Sequence, residues 1–138
     1  MLSFQLVISH YFNVVGVARP VPVEDLCHDP EVWKEYTEDK LVHPYMTFLT
    51  GDSLTKAGEY LQGNPGLFNP SNVPLLILFG SVDVVCDPKA AEKFFNDIST
   101  TDKTFKLFDG MKHELHNEPR VKKEEIQFYL DWILERAK

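Results

Sequence analysis

The sequence predicts an α/β fold in which a helical segment precedes parallel strands with flanking helices. Three features of its second half carry that reading. The first is a continuous apolar run, Val73-Pro74-Leu75-Leu76-Ile77-Leu78-Phe79, closed by Gly80; a strand without polar alternation is one covered on both faces, as in a parallel sheet. The second is Thr104-Phe105-Lys106-Leu107-Phe108, which alternates in polarity and ends at Asp109-Gly110, the pattern of another strand. The third is a pair of amphipathic stretches. Ala91, Phe94, Phe95 and Ile98 share one helical face, expected against the sheet, and Ile126, Tyr129, Leu130, Ile133 and Leu134 form one stripe, with charges elsewhere, in a C-terminal helix from about Val121.

From the N-terminus, Phe4, Val7, Ile8, Tyr11, Phe12 and Val15 recur at intervals of three and four. That is the period of a helical face, although the valine-rich composition leaves a strand open. Arg19-Pro20-Val21-Pro22 imposes an extended passage, because each proline fixes its own φ and turns the preceding residue away from helix. Asp29-Pro30 reads as an N-cap and first helical position for a helix through about Tyr36. A third helix is expected from Asp52 to Leu61. Gly63-Asn64-Pro65-Gly66 and Asn69-Pro70 then punctuate the chain, so residues 1–70 read as a helical segment and residues 71–138 as a strand, helix, strand, helix unit. Pro74 stands where a strand begins and needs no N–H, and Asp87-Pro88 repeats the cap-plus-proline start.

At 138 residues, 43% hydrophobic and 12% aromatic, the chain is long enough for one packed core and short for two. A formal net charge of −7 argues against nucleic acid as a partner, since a phosphate backbone requires clustered Lys and Arg. Cys27 and Cys86 lie far apart with no Cys-x-x-Cys spacing. Free thiols in a reducing compartment are expected, not a disulfide framework or a zinc knuckle. The apolar stretch from Leu2 to Val17 is too short, and too interrupted by Gln5, Ser9, His10 and Asn13, to span a bilayer. No basic residues precede it as in a signal peptide, so a cytoplasmic location is expected.

In an open parallel sheet, chemistry gathers past the carboxyl ends of the strands. That selects the loops Gly80-Ser81-Val82-Asp83-Val84-Val85-Cys86-Asp87 and Asp109-Gly110-Met111-Lys112-His113-Glu114-Leu115-His116. Right-handed crossovers set them side by side, where a carboxylate from the first orients an imidazole from the second, as in a hydrolase. Asp83 and His113 are the candidate catalytic residues. Each also has a plain structural reading, Asp83 as a turn residue and His113 as a loop histidine. Asp87 competes as the acid, but its place before Pro88 makes it a helix cap. His116 lacks the four-residue spacing of a zinc helix and reads as a surface residue, and His10, His28 and His43 show no partner pattern. Cys86 is expected to be buried and inert, and Lys122-Lys123-Glu124-Glu125 to be a solvated helix face. The Leu2–Val17 stripe packs into a core or touches a membrane as a lid.

The runs Phe79-Gly80-Ser81-Val82-Asp83, Cys86-Asp87-Pro88-Lys89, Asp102-Lys103-Thr104 and Leu107-Phe108-Asp109-Gly110-Met111-Lys112-His113 resemble the monoglyceride lipases, with the match strongest over residues 73–119. Val23-Glu24-Asp25-Leu26-Cys27-His28-Asp29-Pro30 and Asp39-Lys40-Leu41-Val42-His43 are similar to the cap segment of related lysophospholipase-like hydrolases. The resemblance implies the C-terminal portion of an α/β-hydrolase fold behind a helical cap, with Asp83 as the triad acid and His113 as the base. It implies hydrolysis of monoacylglycerol esters to fatty acid and glycerol without metal or organic cofactor. The partner it implies is an acylglycerol or related lipid ester, with contact to membrane or lipid-droplet surfaces. A lysophospholipase or carboxylesterase of the same fold, and a non-catalytic truncated module binding lipid or a partner, are the alternatives. The family's serine lies upstream in a Gly-x-Ser-x-Gly turn. None of Ser3, Ser9, Ser53, Ser71, Ser81 and Ser99 has glycine two residues before and two after, and the histidine-glycine stretch of the oxyanion hole is missing too. These residues therefore read as the cap and acid/histidine region of a longer hydrolase, expected to be inactive by themselves.

Overall fold

The computed structural model describes residues 16–18, 21–68 and 73–137. The helical face expected over Phe4 to Val15 lies outside them. Its continuation is a strand: β1, Gly16–Ala18, pairs antiparallel with β2, Tyr45–Thr47, with Gly16 opposite Thr47. Between these strands, Pro22 is extended (φ −53°, ψ 131°) ahead of a tight turn at Val23–Asp25. Helix α1, Pro30–Glu38, starts as its sequence predicts, with the Asp29 carboxylate accepting from the Glu31 N–H and Pro30 at the first position.

Helix α2, Phe48–Gly63, begins a turn before the expected Asp52, because the Thr47 hydroxyl accepts from the Thr50 N–H and caps it there. After a short turn at Pro65–Leu67, β3, Leu75–Gly80, runs parallel to β4, Lys103–Phe108, in register from Leu75 opposite Lys103 to Gly80 opposite Phe108. Helix α3, Pro88–Asp97, connects them under an Asp87 cap. It is fixed by Phe95 against Phe105, with ring centroids 5.4 Å apart. Lys103 closes its C-terminal end by donating to the Phe95 and Ile98 carbonyls at 2.6 and 2.9 Å, a cation where the helix dipole is negative.

Helix α4, Lys122–Arg136, sits on β4 through residues outside the stripe read from the sequence. Trp132 Nε1 donates to Thr104 Oγ1 at 2.9 Å, Lys106 lies 4.4 Å from the Phe128 ring centre, and Arg136 forks onto Asp102. The stripe Ile126, Tyr129, Leu130, Ile133, Leu134 is exposed. The parallel sheet of the described residues has two strands, and Phe128 and Trp132 are the ring residues of α4 that meet it. Leu75 to Phe79 are half-buried and not enclosed. The core lies instead past the strand ends, where Phe108, Met111 and Leu115 cluster with Leu78 and Val121. No helix among the described residues is long and apolar enough to cross a membrane.

Candidate active site

The loop after β3 turns at once, with the Asp83 N–H donating to the Gly80 carbonyl at 3.3 Å. The Asp83 carboxylate then does two things. Oδ1 accepts from the Val85 and Cys86 N–H groups at 2.8 and 2.9 Å, and Oδ2 lies 2.9 Å from His113 Nδ1. The turn reading and the pairing reading thus hold together, one oxygen serving each. A carboxylate oxygen accepts, so the imidazole proton is on Nδ1 and the lone pair of the neutral ring is on Nε2. The Asp83 side chain is 2% exposed and that of His113 35%, which places the acid inside and the base at the surface.

The loop after β4 reaches this position through a glycine. Gly110 adopts φ +69°, the left-handed region that other residues enter at a cost. Met111 then plugs the core. The two loops are tied directly: the Val82 N–H donates to the Met111 carbonyl at 3.1 Å, and Ser81 Oγ accepts from the Gly110 N–H at 2.8 Å. Gly80 makes the approach possible, since a Cβ there would fall 2.1 Å from the Lys112 carbonyl oxygen.

The competing residues fall elsewhere. Asp87 is exposed and accepts from the Lys89 N–H at 2.9 Å, so it is the helix cap expected of it. His116 is exposed, His43 stacks on Tyr45, and His10 lies outside the described residues. Cys86 corrects the expectation: it is exposed, and Cys27 is the buried cysteine. Desolvation of its sulfur, reinforced by the negative charge of Asp83, raises the Cys86 thiol above its ordinary value, so the thiol stays protonated and poorly nucleophilic at neutral pH. Asp83, Cys86 and His113 bring three metal-type atoms within 4.8 Å of one another. Closed zinc sites take four protein ligands, and this carboxylate already accepts three hydrogen bonds.

A family model described as serine aminopeptidase, S33 (Hydrolase_4), matches residues 1–120. The chain belongs to that family. It is an α/β-hydrolase of the monoglyceride lipase type, as its relatives indicate. An uncharacterised abhydrolase domain-containing protein of Dictyostelium discoideum is 37% identical over 109 residues, 78% of this chain and 11% of that protein. The monoglyceride lipase of Saccharomyces cerevisiae is 32% identical over 88 residues, 63% of this chain and 26% of that enzyme. The crystal structure of Paleococcus ferrophilus monoacylglycerol lipase superposes with a TM-score of 0.88 at 23% identity, covering 98% of this chain and 51% of that one. The chain therefore spans about half of that structure and less of these curated relatives.

Sequence reasoning missed a second histidine–acid pair beside the first. His28, to which no partner was assigned, lies with Nδ1 2.9 Å from both carboxylate oxygens of the buried Glu118. The residues are 90 positions apart, and no local motif links them.

Proposed function

We propose that this S33 hydrolase acts on monoacylglycerol esters, with Asp83 as the orienting acid and His113 as the general base for a serine carried outside these 138 residues. The observation that supports this most is the 2.9 Å contact of Asp83 Oδ2 with His113 Nδ1, because it leaves Nε2 as the basic atom. Among the described residues Nε2 has no hydrogen-bond partner. The serine hydroxyl attacks the ester carbonyl and its proton passes to Nε2, while Asp83 steadies the imidazolium. The imidazolium then protonates the departing glycerol oxygen. Water, activated by the same base, releases the fatty acid, and no cofactor is needed.

In this reading residues 1–70 form a cap and residues 71–138 the end of the catalytic core. Exposed Leu41, Tyr45 and Leu54 suit contact with an acyl chain or a lipid surface at the cytoplasmic face of a membrane or droplet. The family description as an aminopeptidase favours, as a second reading, an amide or a smaller ester as substrate.

A fluorophosphonate probe and a substrate panel test this. The 138-residue chain alone is expected to show no stoichiometric labelling, and a longer version bearing the serine half should be labelled once per chain. In one well-studied serine protease, loss of the nucleophile costs on the order of 10⁶ in kcat. The longer version should cleave long-chain monoacylglycerol ahead of lysophospholipid, simple esters and aminoacyl anilides. Labelling of any of the six serines of the isolated chain would overturn the assignment of roles, and anilide preference would overturn the substrate.

A further inference from the structure

Glu118 is 0% exposed, the most deeply buried acid among the described residues. Its carboxylate is fully clasped. Oε1 accepts from the Lys112 N–H at 2.8 Å, Oε2 from the His28 N–H at 3.3 Å, and His28 Nδ1 stands 2.9 Å from each oxygen. A buried carboxylate is retained only when paired and hydrogen-bonded, and nothing in the Asp83–His113 pair requires this one.

The clasp does not stand alone. The Glu114 N–H donates to the Leu26 carbonyl at 2.7 Å, Lys112 Nζ donates to the Glu24 carbonyl, and Trp33 Nε1 donates to the Cys27 carbonyl at 3.0 Å. Lys112 and Glu114 are the chain neighbours of His113. Both are bonded to the strip Glu24–His28 ahead of α1, directly or through Glu118. On the other side the same loop is held by Gly80 and by the Val82 N–H. His113 therefore projects from a backbone gripped at two edges, one belonging to the acid loop and one to the cap side of the chain.

We propose that Glu118 and His28 are positioning residues that set His113 against Asp83 and couple the cap segment to the base. The loop carrying His113 is held on its other side by Glu118, which accepts from the Lys112 N–H, and by the Glu114 N–H on the Leu26 carbonyl. Site groups must be held to within roughly 0.5 Å of their working geometry. A displacement of about 1 Å can cost on the order of 10²-fold in rate, so the loss of this clasp should be read at His113 and not only in stability. The consequence for catalysis rests on the proposed role of His113; the geometry does not.

The test is therefore made first on the 138-residue chain by proton NMR. A proton shared between an imidazole Nδ1 and a carboxylate resonates far downfield of the amide envelope; both His28 and His113 have this geometry, and the signal lost in Asp83→Asn is the one assigned to His113. His28→Ala and Glu118→Gln should lose it while the amides of β3 and β4 keep their dispersion. His28→Asn, whose side-chain amide nitrogen takes the place of Nδ1, should restore it. In the serine-bearing version His28→Ala should lower kcat by about 10- to 100-fold at unchanged KM, with rescue by His28→Asn. Persistence of the His113 signal in folded His28→Ala, no restoration by His28→Asn, or global unfolding of His28→Ala would each overturn the proposal. If the signals follow the expected pattern but the wild-type serine-bearing version hydrolyses no ester, the positioning stands and the proposed function fails.

Discussion

The loops at the strand ends and the segment from residue 21 to 68 are built on opposite terms. Around Asp83 and His113, the Asp83 carboxylate is buried and accepts three hydrogen bonds, and the contacts between the two loops join residues 29 and 30 positions apart. The cap-side segment is held mostly by bonds within one helical turn, such as Lys56 to Asp52 and Thr55 to Gly51. Several of its large apolar side chains are exposed, Leu41 by 88%. The buried apolar residues of that segment among those described are Leu26 and Cys27, and they lie in the strip seated against the histidine loop. The segment's buried contacts are thus concentrated where it meets the loop that carries His113.

The largest effect that would sharpen this contrast is at the acid. In the serine-bearing version, Asp83→Asn should lower kcat by about 10³- to 10⁴-fold, because an amide at Oδ2 selects the wrong imidazole tautomer. Asp87→Asn keeps a good helix cap and should leave kcat within about twofold. Steady-state kinetics on the two variants decides; equal losses would reassign the acid.

Much of this was legible in the sequence where the determinants are local. Both proline-started helices, β3 with its closing glycine, and β4 follow from residues within a few positions of each boundary, and the pairing of Asp83 with His113 follows from placing two loops on adjacent parallel strands. What escaped depends on distance or on neighbours. The His28–Glu118 clasp joins chain ends with no shared motif. The Thr47 cap was hidden because Gly51 and the threonines weaken the first turn of α2. Cys86 is exposed in a turn where the Asp83 carboxylate accepts from the Val85 and Cys86 N–H groups, a local hydrogen-bonding pattern that no hydrophobic count reveals. The stripe on α4 follows from its periodicity, but which residues meet β4, Phe128 and Trp132, depends on the sheet beneath and not on the helix's own pattern.

The next effect in size separates the two regions by stability. Gly80→Ala puts a methyl group 2.1 Å from one backbone oxygen and 2.2 Å from another. Neither can swing away as a side chain would, so the cost should reach the upper part of the 1–3 kcal/mol range, about 3 kcal/mol, for overpacking. Leu54→Lys, on an exposed position of α2, should change stability by less than about 0.5 kcal/mol while weakening binding to lipid vesicles. Urea unfolding and vesicle sedimentation measure both. A Leu54→Lys variant as destabilised as Gly80→Ala would erase the distinction between the cap and the loops.

The smallest effect concerns the far end of β4, away from the site. Arg136 donates to both carboxylate oxygens of Asp102 at 2.6 and 2.8 Å, and this hydrogen bonding holds the Asp102 carboxyl below its ordinary value. A folded-state pKa below the unfolded one means the pair stabilises above the ordinary carboxylate range, near pH 4, and that this contribution is lost as the pH falls through the folded value. Both side chains are reached by solvent, so the effect is small and screened by salt. In thermal melts the Tm gap between wild type and Asp102→Asn should be constant above about pH 5 and should close as the pH falls below about 4. The kcat of the serine-bearing version should not move, because the strap lies at the opposite end of β4 from His113. A gap that persists into acid would show that the strap acts through packing of Arg136 on Trp132, whose ring centre lies 4.0 Å away, and a kcat that fell with it would mean that the two ends of β4 are not independent.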